Sequence, residues 1–245
     1  MSRPRRIAKP ARQKWILEQL RASNDLWIPG MVSALDSDRP IHALDRVERR
    51  ADASSASLTS TDPEWLPNVE QRQKMTALAL DCVRPHMVVM IDGDGVVLDL
   101  AWRMATDGPE ITVITNNLPA ARLLGGNASI TVHFCPGRYD CRRGAAEGAE
   151  TIDFLQRYRA NLAFISACGI SADGPNGARA DAAATKRVML ERSDQRILLL
   201  DHGKFGLRRP HSICSLGLID RLICDEAPDE ELHAALRLNG VEVRT

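Results

Sequence analysis

Asp92 and Asp94 stand two residues apart in "MVVMIDGDGVVLDL", residues 87–100, interleaved with Gly93 and Gly95 and flanked by apolar runs. A carboxylate pair at this spacing has three chemical uses. One aspartate can attack an electrophile while the other moves a proton, with a divalent cation offsetting the crowded charge. Alternatively, the glycines open a turn whose backbone N–H groups face an anion at the start of the following helix, or one aspartate caps that helix. Two carboxylates in such a nest oppose a phosphate dianion unless a cation compensates. Lys204, in the loop "DHGKFG" after the apolar run "RILLLD", is a point charge of the right kind. His133, His202 and His211 show no i, i+4 pairing, and the six cysteines form no CxxC pair, so neither a metal site nor a cofactor is expected.

The elements that must position these residues follow from hydrophobic period. From Glu64 onward, short apolar runs rich in β-branched residues ("MVVMID", "ITVIT", "ITVHF", "LAFIS", "RILLLD", "RLICD", "VEVR") alternate with helical stretches. The helical stretches are "VVLDLAWRMA", "LPAARLLG", "EGAETIDFLQRY", "ADAAATKRVMLERS" and "DEELHAALRLN". Continuous apolar strands separated by helices predict an α/β fold, a mostly parallel sheet covered on both faces. Ligands of such sheets bind at the loops leaving the strands' carboxyl ends. Those loops are 92–95, 115–117, 136–144, 169–179 and 201–206.

The N-terminal fifth is different. Residues 1–50 carry eleven Lys/Arg against six acids in a chain whose overall charge is zero, a polarity that suits nucleic acid at one end. Three short helices are expected there. The last, in "SDRPIHALDRVERR", has Ser37 as its cap, Pro40 in its first turn, and Ile41, Leu44 and Val47 on one face. This is the outline of a helix-turn-helix, with Arg39, His42, Arg46, Arg49 and Arg50 as candidate DNA contacts. Residues 51–63, Ser/Thr/Ala-rich and without apolar period, read as a linker between this domain and a second one spanning 64–245. The absence of a secretory leader and of a long apolar run predicts reduced thiols and a cytoplasmic protein without membrane association.

Two family resemblances compete for the second domain. "DGDGV" is similar to the first motif of haloacid-dehalogenase-like phosphatases, and "VITNN" to another motif of that family. Its later metal-holding aspartate motif is missing, however, and "LIDRLICDE", with Asp220 and Asp225, is the nearest approach. The C-terminal sensor domain of DeoR-family transcriptional regulators resembles much more of the chain, roughly residues 70 to 243. "KMTALAL", "IDGDGVVLDLAWRMA", "ITVITNNLPAARLL", "RANLAFISACGISADG", "ATKRVMLERSDQRILLLDHGKFG" and "LIDRLICDEAPDEELHAALRLNGVEV" fall in the family's order. That resemblance implies a ribose-5-phosphate isomerase/CoA transferase-like fold used for sensing rather than catalysis. It also implies a winged helix-turn-helix-like N-terminal domain, DNA and a phosphorylated sugar or related metabolite as partners, and a homo-oligomer. The implied function is a repressor of carbohydrate metabolism. The implied effector loops carry Asp92, Gly93, Asp94, Gly95, Asn116 and Lys204. Gly93, Asp94, Gly95 and Val96 stand where the family turn has phosphate-cradling glycine and hydroxyl residues, so the expected ligand is less anionic than usual. In the N-terminal domain, Pro40, His42 and Ala43 stand where the family's recognition helix has a threonine and an arginine pair.

Overall fold

A computed structural model describes residues 69–92 and 95–245. All seven apolar runs form one parallel sheet. Its strands are β1 (Val88–Ile91), β2 (Ile111–Thr115), β3 (Ile130–Phe134), β6 (Ala160–Ile165), β9 (Ser193–Leu199), β11 (Arg221–Ile223) and β12 (Glu242–Arg244), in the order β12-β11-β9-β6-β1-β2-β3. The chain therefore runs outward from β1 to β3, returns to β6 on the other side of β1, and runs outward again to β12.

The strands are apolar on both sides because both sides are covered. In β1, Val89 and Ile91 pack with Leu162 and Phe164 of β6 against Met75 and Ala79 of α1 (Val69–Leu80) and Val97, Leu100 and Met104 of α2 (Val96–Asp107). α3 (Leu118–Leu124) adds Ala120 and Leu124 to that layer. The alternate residues, Met90, Ala163, Ile165 and Leu198, face Leu155 of α4 (Ala149–Gln156), Val188 and Met189 of α5 (Ala180–Glu191) and Leu232 and Leu236 of α6 (Glu230–Leu238). A strand with a period of two thus serves two cores at once. Side chains mark where helices start: Asn117 accepts from Ala120 N at 2.9 Å to open α3, and Asp229 accepts from Leu232 N at 2.9 Å to open α6.

Two smaller sheets were not visible in the hydrophobic pattern. A hairpin, β4 (Arg138–Asp140) and β5 (Ala145–Glu147), follows β3, and an antiparallel group is formed by β7 (Gly169–Ser171), β8 (Gly174–Gly177) and β10 (His211–Ser212). All five strands are inserted after the carboxyl ends of β3, β6 and β9, so they decorate the edge where the candidate loops emerge. The group is packed tightly. Gly174 has φ 114°, and a Cβ there would come within 2.1 Å of the Cys214 carbonyl oxygen, so only glycine fits. All six cysteines are free thiols, and no helix among the described residues is long and apolar enough to cross a membrane.

Phe164 is fully buried at the centre of the sheet. Phe164→Ala should lower unfolding stability by about 3–5 kcal/mol in urea titrations, whereas Trp102→Ala on the exposed side of α2 should cost no more than about 0.5 kcal/mol.

Candidate functional site

β1 and β6 are neighbours although the chain visits β2 and β3 between them, and the elements that follow them lie on opposite faces, α2 on one and α5 on the other. A crevice opens at such a reversal, beyond the carboxyl ends of the strands. Asp92, the first residue after β1, sits there almost wholly buried at 4% exposure. Its Oδ2 accepts from the backbone N–H of Ser166, just past β6, at 2.9 Å and lies 2.9 Å from Lys186 Nζ of α5. Lys186, also buried, donates in addition to the Ser166 carbonyl at 2.9 Å. This one carboxylate therefore ties β1, β6 and α5 together at the switch point. A buried ion pair is tolerable only when both partners have such further hydrogen bonds.

The other described residues expected at the effector loops are Gly95, Asn116 and Lys204. Lys204, in the 3-10 turn His202–Lys204 after β9, reaches the β1 loop, since a Cβ built on Gly95 would be 3.9 Å from its Nζ. Lys204 is not an unaccompanied charge, because Asp201 Oδ2 pairs with it at 2.9 Å. Gly95, with φ 53°, is the N-cap of α2 and leaves that helix start without a side-chain cap. Asn116, immediately after β2, is buried and donates through Nδ2 to the Ala146 carbonyl at 2.9 Å, while the backbone N–H of Ala146 returns a bond of 2.7 Å to the Asn116 carbonyl. Two buried acceptors at this edge have no protein donor: Asn116 Oδ1 and Asp201 Oδ1. Gly93 and Asp94 lie outside the described residues, as do Arg39, His42, Arg46, Arg49 and Arg50 with the whole expected DNA-binding region.

Several residues of this edge were missed by sequence reasoning. Glu147, buried at the end of β5, receives Arg179 Nη2 at 2.6 Å and has Arg143 Nε at 3.9 Å, while Arg179 Nη1 also holds Asp140 at 2.8 Å. The carboxyl of Asp140 is shifted down overall: its partial burial works against the charge, but the backbone N–H of Arg142 and the Arg179 guanidinium outweigh it. Arg138 pairs with Asp181, the acid at the start of α5, at 2.8 Å. The β4–β5 hairpin is thereby fastened to the segment entering α5 and, through Asn116, to the β2 loop. Lys186 gave no local signal, because "ADAAATKRVM" is an ordinary helix sequence and its lysine acquires meaning only opposite Asp92.

His202, Asp225 and Glu226 form a second cluster. His202 Nδ1 lies 2.7 Å from Asp225 Oδ2 and 3.7 Å from Glu226 Oε1, and the His202 backbone N–H donates to Asp225 Oδ1 at 2.7 Å. The hydrogen bond to Asp225, with the charges of Asp225 and Glu226 added, holds the imidazole pKa above its usual 6.5. One atom from each residue lies within 4.8 Å of the others, close enough to share a cation. Histidine spacing could not disclose this, since the three come from two loops. Asp220 lies at the opposite end of β11, in a two-bond pair with Arg196 at 2.8 Å for each bond. Asp220 and Asp225, the two aspartates nearest to the phosphatase's metal motif, thus lie at opposite ends of β11, and Asp92 is paired with Lys186.

The fold is a doubly wound parallel α/β domain with a polar, partly unsatisfied edge at its switch point. Residues 67–226 match the family model described as the DeoR C terminal sensor domain, and the chain belongs to the DeoR family of transcriptional regulators. It is 29% identical over 179 residues to the HTH-type transcriptional repressor GlcR of Bacillus subtilis, covering 71% of this chain and 67% of that one. It is 35% identical over 157 residues to the uncharacterized HTH-type transcriptional regulator YulB of the same organism (62% and 61% covered). Against the glycerol-3-phosphate regulon repressor of Escherichia coli it is 28% identical over 139 residues (54% and 53% covered). The match thus spans from about two thirds to about half of these relatives' length. Among solved structures, ribose 5 phosphate isomerase A from Neisseria gonorrhoeae aligns with a TM-score of 0.43 at 12% identity, over 59% of this chain and 56% of that one.

Two outcomes follow from this geometry. Lys186→Met leaves the Asp92 carboxylate buried without its cation and should cost about 3–5 kcal/mol in chemical denaturation, and adding Asp92→Asn should recover much of the loss. A raised histidine pKa stabilises the fold fully below its ordinary value near 6.5 and ceases to do so as the pH climbs through the elevated folded value. The melting-temperature advantage of the wild type over His202→Gln should therefore shrink with rising pH, and a constant difference would mean that His202 protonation is not coupled to folding.

Proposed function

We propose that this chain is an effector-controlled repressor of carbohydrate metabolism, with a helix-turn-helix in residues 1–50, a linker at 51–63 and a sensor domain at 64–245. The observation that carries the reading is the placement of Asp92, Gly95, Asn116 and Lys204 at the carboxyl edge of a sheet whose sequence belongs to a sensor family. Relatives named as repressors support the sign of regulation. A sensing rather than catalytic role is supported by the family match and by relatives named as transcriptional regulators.

In this reading the N-terminal basic residues Arg39, His42, Arg46, Arg49 and Arg50 meet DNA, chiefly at phosphates. A small metabolite at the carboxyl edge then shifts a cytoplasmic homo-oligomer between arrangements of different DNA affinity. It does so only to the extent that it binds the two arrangements unequally.

The test is footprinting and mobility-shift titration of the full chain on its own promoter region. Specific binding is expected, weakening with salt. Replacing Arg46, Arg49 and Arg50 together with alanine should weaken it at least about tenfold. The log–log salt dependence should flatten by about 0.9 in slope for each phosphate no longer neutralised. No specific complex at low salt, with or without metabolites, would remove the reading.

A further inference from the structure

We propose that His202, Asp225 and Glu226 bind a divalent cation of the zinc class, which clips the turn after β9 to the end of β11. Such a site is independent of what the chain regulates.

The register of the sheet brings the three residues together. β9 and β11 run parallel with Leu199 beside Ile223, and the Leu200 N–H donates to the Ile223 carbonyl at 3.0 Å. The two chains therefore leave the sheet side by side, and His202, soon after Leu199, meets Asp225 and Glu226, soon after Ile223. Nδ1 is the ring nitrogen that faces both acids, 2.7 Å from Asp225 Oδ2 and 3.7 Å from Glu226 Oε1. Ligand atoms bonded to one ion at about 2.0–2.2 Å lie roughly 3–3.5 Å apart at tetrahedral or octahedral angles. The two separations bracket that range. A rotation of the exposed Glu226 and a small widening of the His202–Asp225 contact thus bring all three onto one ion.

The charges at this point call for a cation. Asp92, Asp201 and Glu147, the other acids buried at the carboxyl edge, are each met by a lysine or an arginine. The Asp225 side chain is 0% exposed, yet among the described residues neither it nor Glu226 pairs with a lysine or an arginine. A carboxylate withdrawn from water needs a compensating charge, and a singly charged imidazolium answers only one of these two. A divalent ion answers both. In the metal-free chain a proton joins Nδ1 to Oδ2; the ion takes its place between the same two atoms, and the proton leaves to solvent.

The donor set selects the ion. The set is not simply acidic, since one of its three members is an imidazole nitrogen, which suits zinc and its neighbours better than magnesium or calcium with their all-oxygen surroundings. Asp225 is already oriented for the task, because its Oδ1 accepts from the His202 backbone N–H at 2.7 Å and leaves Oδ2 to face the ion. His202 and Glu226, with side chains 43% and 57% exposed, leave a path for entry and room for water on the remaining coordination positions. A cation held here fixes the start of the His202–Lys204 turn, and with it Lys204 and its partner Asp201.

The experiment is isothermal titration calorimetry of the untagged, EDTA-stripped full chain with Zn2+, Mg2+ and Ca2+, repeated on Glu226→Gln, His202→Ala and Cys141→Ser, with a melting curve for each. Zn2+ should bind the wild type at least about tenfold more tightly than Mg2+ or Ca2+. Glu226→Gln and His202→Ala should each weaken Zn2+ by about tenfold or more, and Zn2+ should raise the melting temperature of the wild type but not of these two variants. Cys141→Ser, which removes an exposed thiol elsewhere on the surface, should change nothing. Hydrogen exchange of the amides of residues 202–204 should slow on adding Zn2+ to the wild type only. Zn2+ binding no tighter than that of Mg2+ overturns the proposal. So does Zn2+ binding that survives Glu226→Gln and His202→Ala undiminished, or that is lost in Cys141→Ser, which assigns the ion to a thiol. If His202→Ala does not fold, Glu226→Gln, a change of charge at constant shape on an exposed side chain, decides alone.

Discussion

The pairing of Asp92 with Lys186 is the constraint from which the rest of the edge follows. A parallel sheet that reverses its direction of winding leaves its two central strands joined by backbone hydrogen bonds alone at the carboxyl end, with their continuations diverging to opposite faces. Here the gap is closed by a charge taken from β1, a charge taken from α5 and the backbone of Ser166 after β6, joined by three links of 2.9 Å each. Such a pair adds little net stability compared with apolar residues of the same volume, but it is intolerant of partial loss, because either charge alone would be stranded in the core. It fixes where α5 lies along the sheet, and hence where the segment entering α5 meets the β4–β5 hairpin. The same pair gives Asp92, an aspartate at the end of a central strand, a structural role at the switch point.

From that anchor a chain of polar links runs outward. Arg138 to Asp181 and Arg179 to Asp140 and Glu147 fasten the hairpin to the start of α5. The backbone bond from Ala146 N–H to the Asn116 carbonyl, with the Asn116 amide donating back to the Ala146 carbonyl, fastens it to the end of β2. The Asn116 side chain is thereby held by its NH2, with its oxygen turned to a position where no protein donor reaches. The neighbouring asparagine does something unrelated: Asn117 caps α3 and donates to the Arg143 carbonyl at 3.3 Å. Two adjacent asparagines in "VITNN" therefore divide the work, one fastening the β4–β5 hairpin to the end of β2 and the other building the helix that follows.

The sheet was legible because burial on both faces leaves an unmistakable mark. Each of the seven apolar runs is a strand, and the five helical stretches expected between them are present, with boundaries moved by a few residues. Asp92, Asn116 and Lys204 were legible as members of one edge because strand ends in a parallel sheet point the same way. What escaped the sequence has a common physical reason. β4, β5, β7, β8 and β10 are only two to four residues long, too short for a period of two to stand out. Arg179 and Glu147 are 32 positions apart, and Lys186 is further still from Asp92, so neither ion pair leaves a local pattern. Asp201 and Asp225 were read as ends of apolar runs, and that is where they are, but their pairing with Lys204 and His202 belongs to the folded edge.

The unusual turn sequence at 93–96 becomes coherent in this setting. A turn that cradles phosphate works by concentrating donors, from hydroxyls and backbone N–H groups, around an anion whose charge is not already answered by the protein. In this chain the hydroxyl residues are absent from that turn, an additional carboxylate stands in it as Asp94, and the lysine that reaches it is balanced by Asp201. Each change alone would weaken a phosphate site. The strand before the turn and the helix after it nonetheless take their expected places against the sheet. The backbone geometry of the domain is thus set by residues outside the turn. It depends on apolar strands that serve two cores and on the Asp92–Lys186 pair that ties β1, β6 and α5 together.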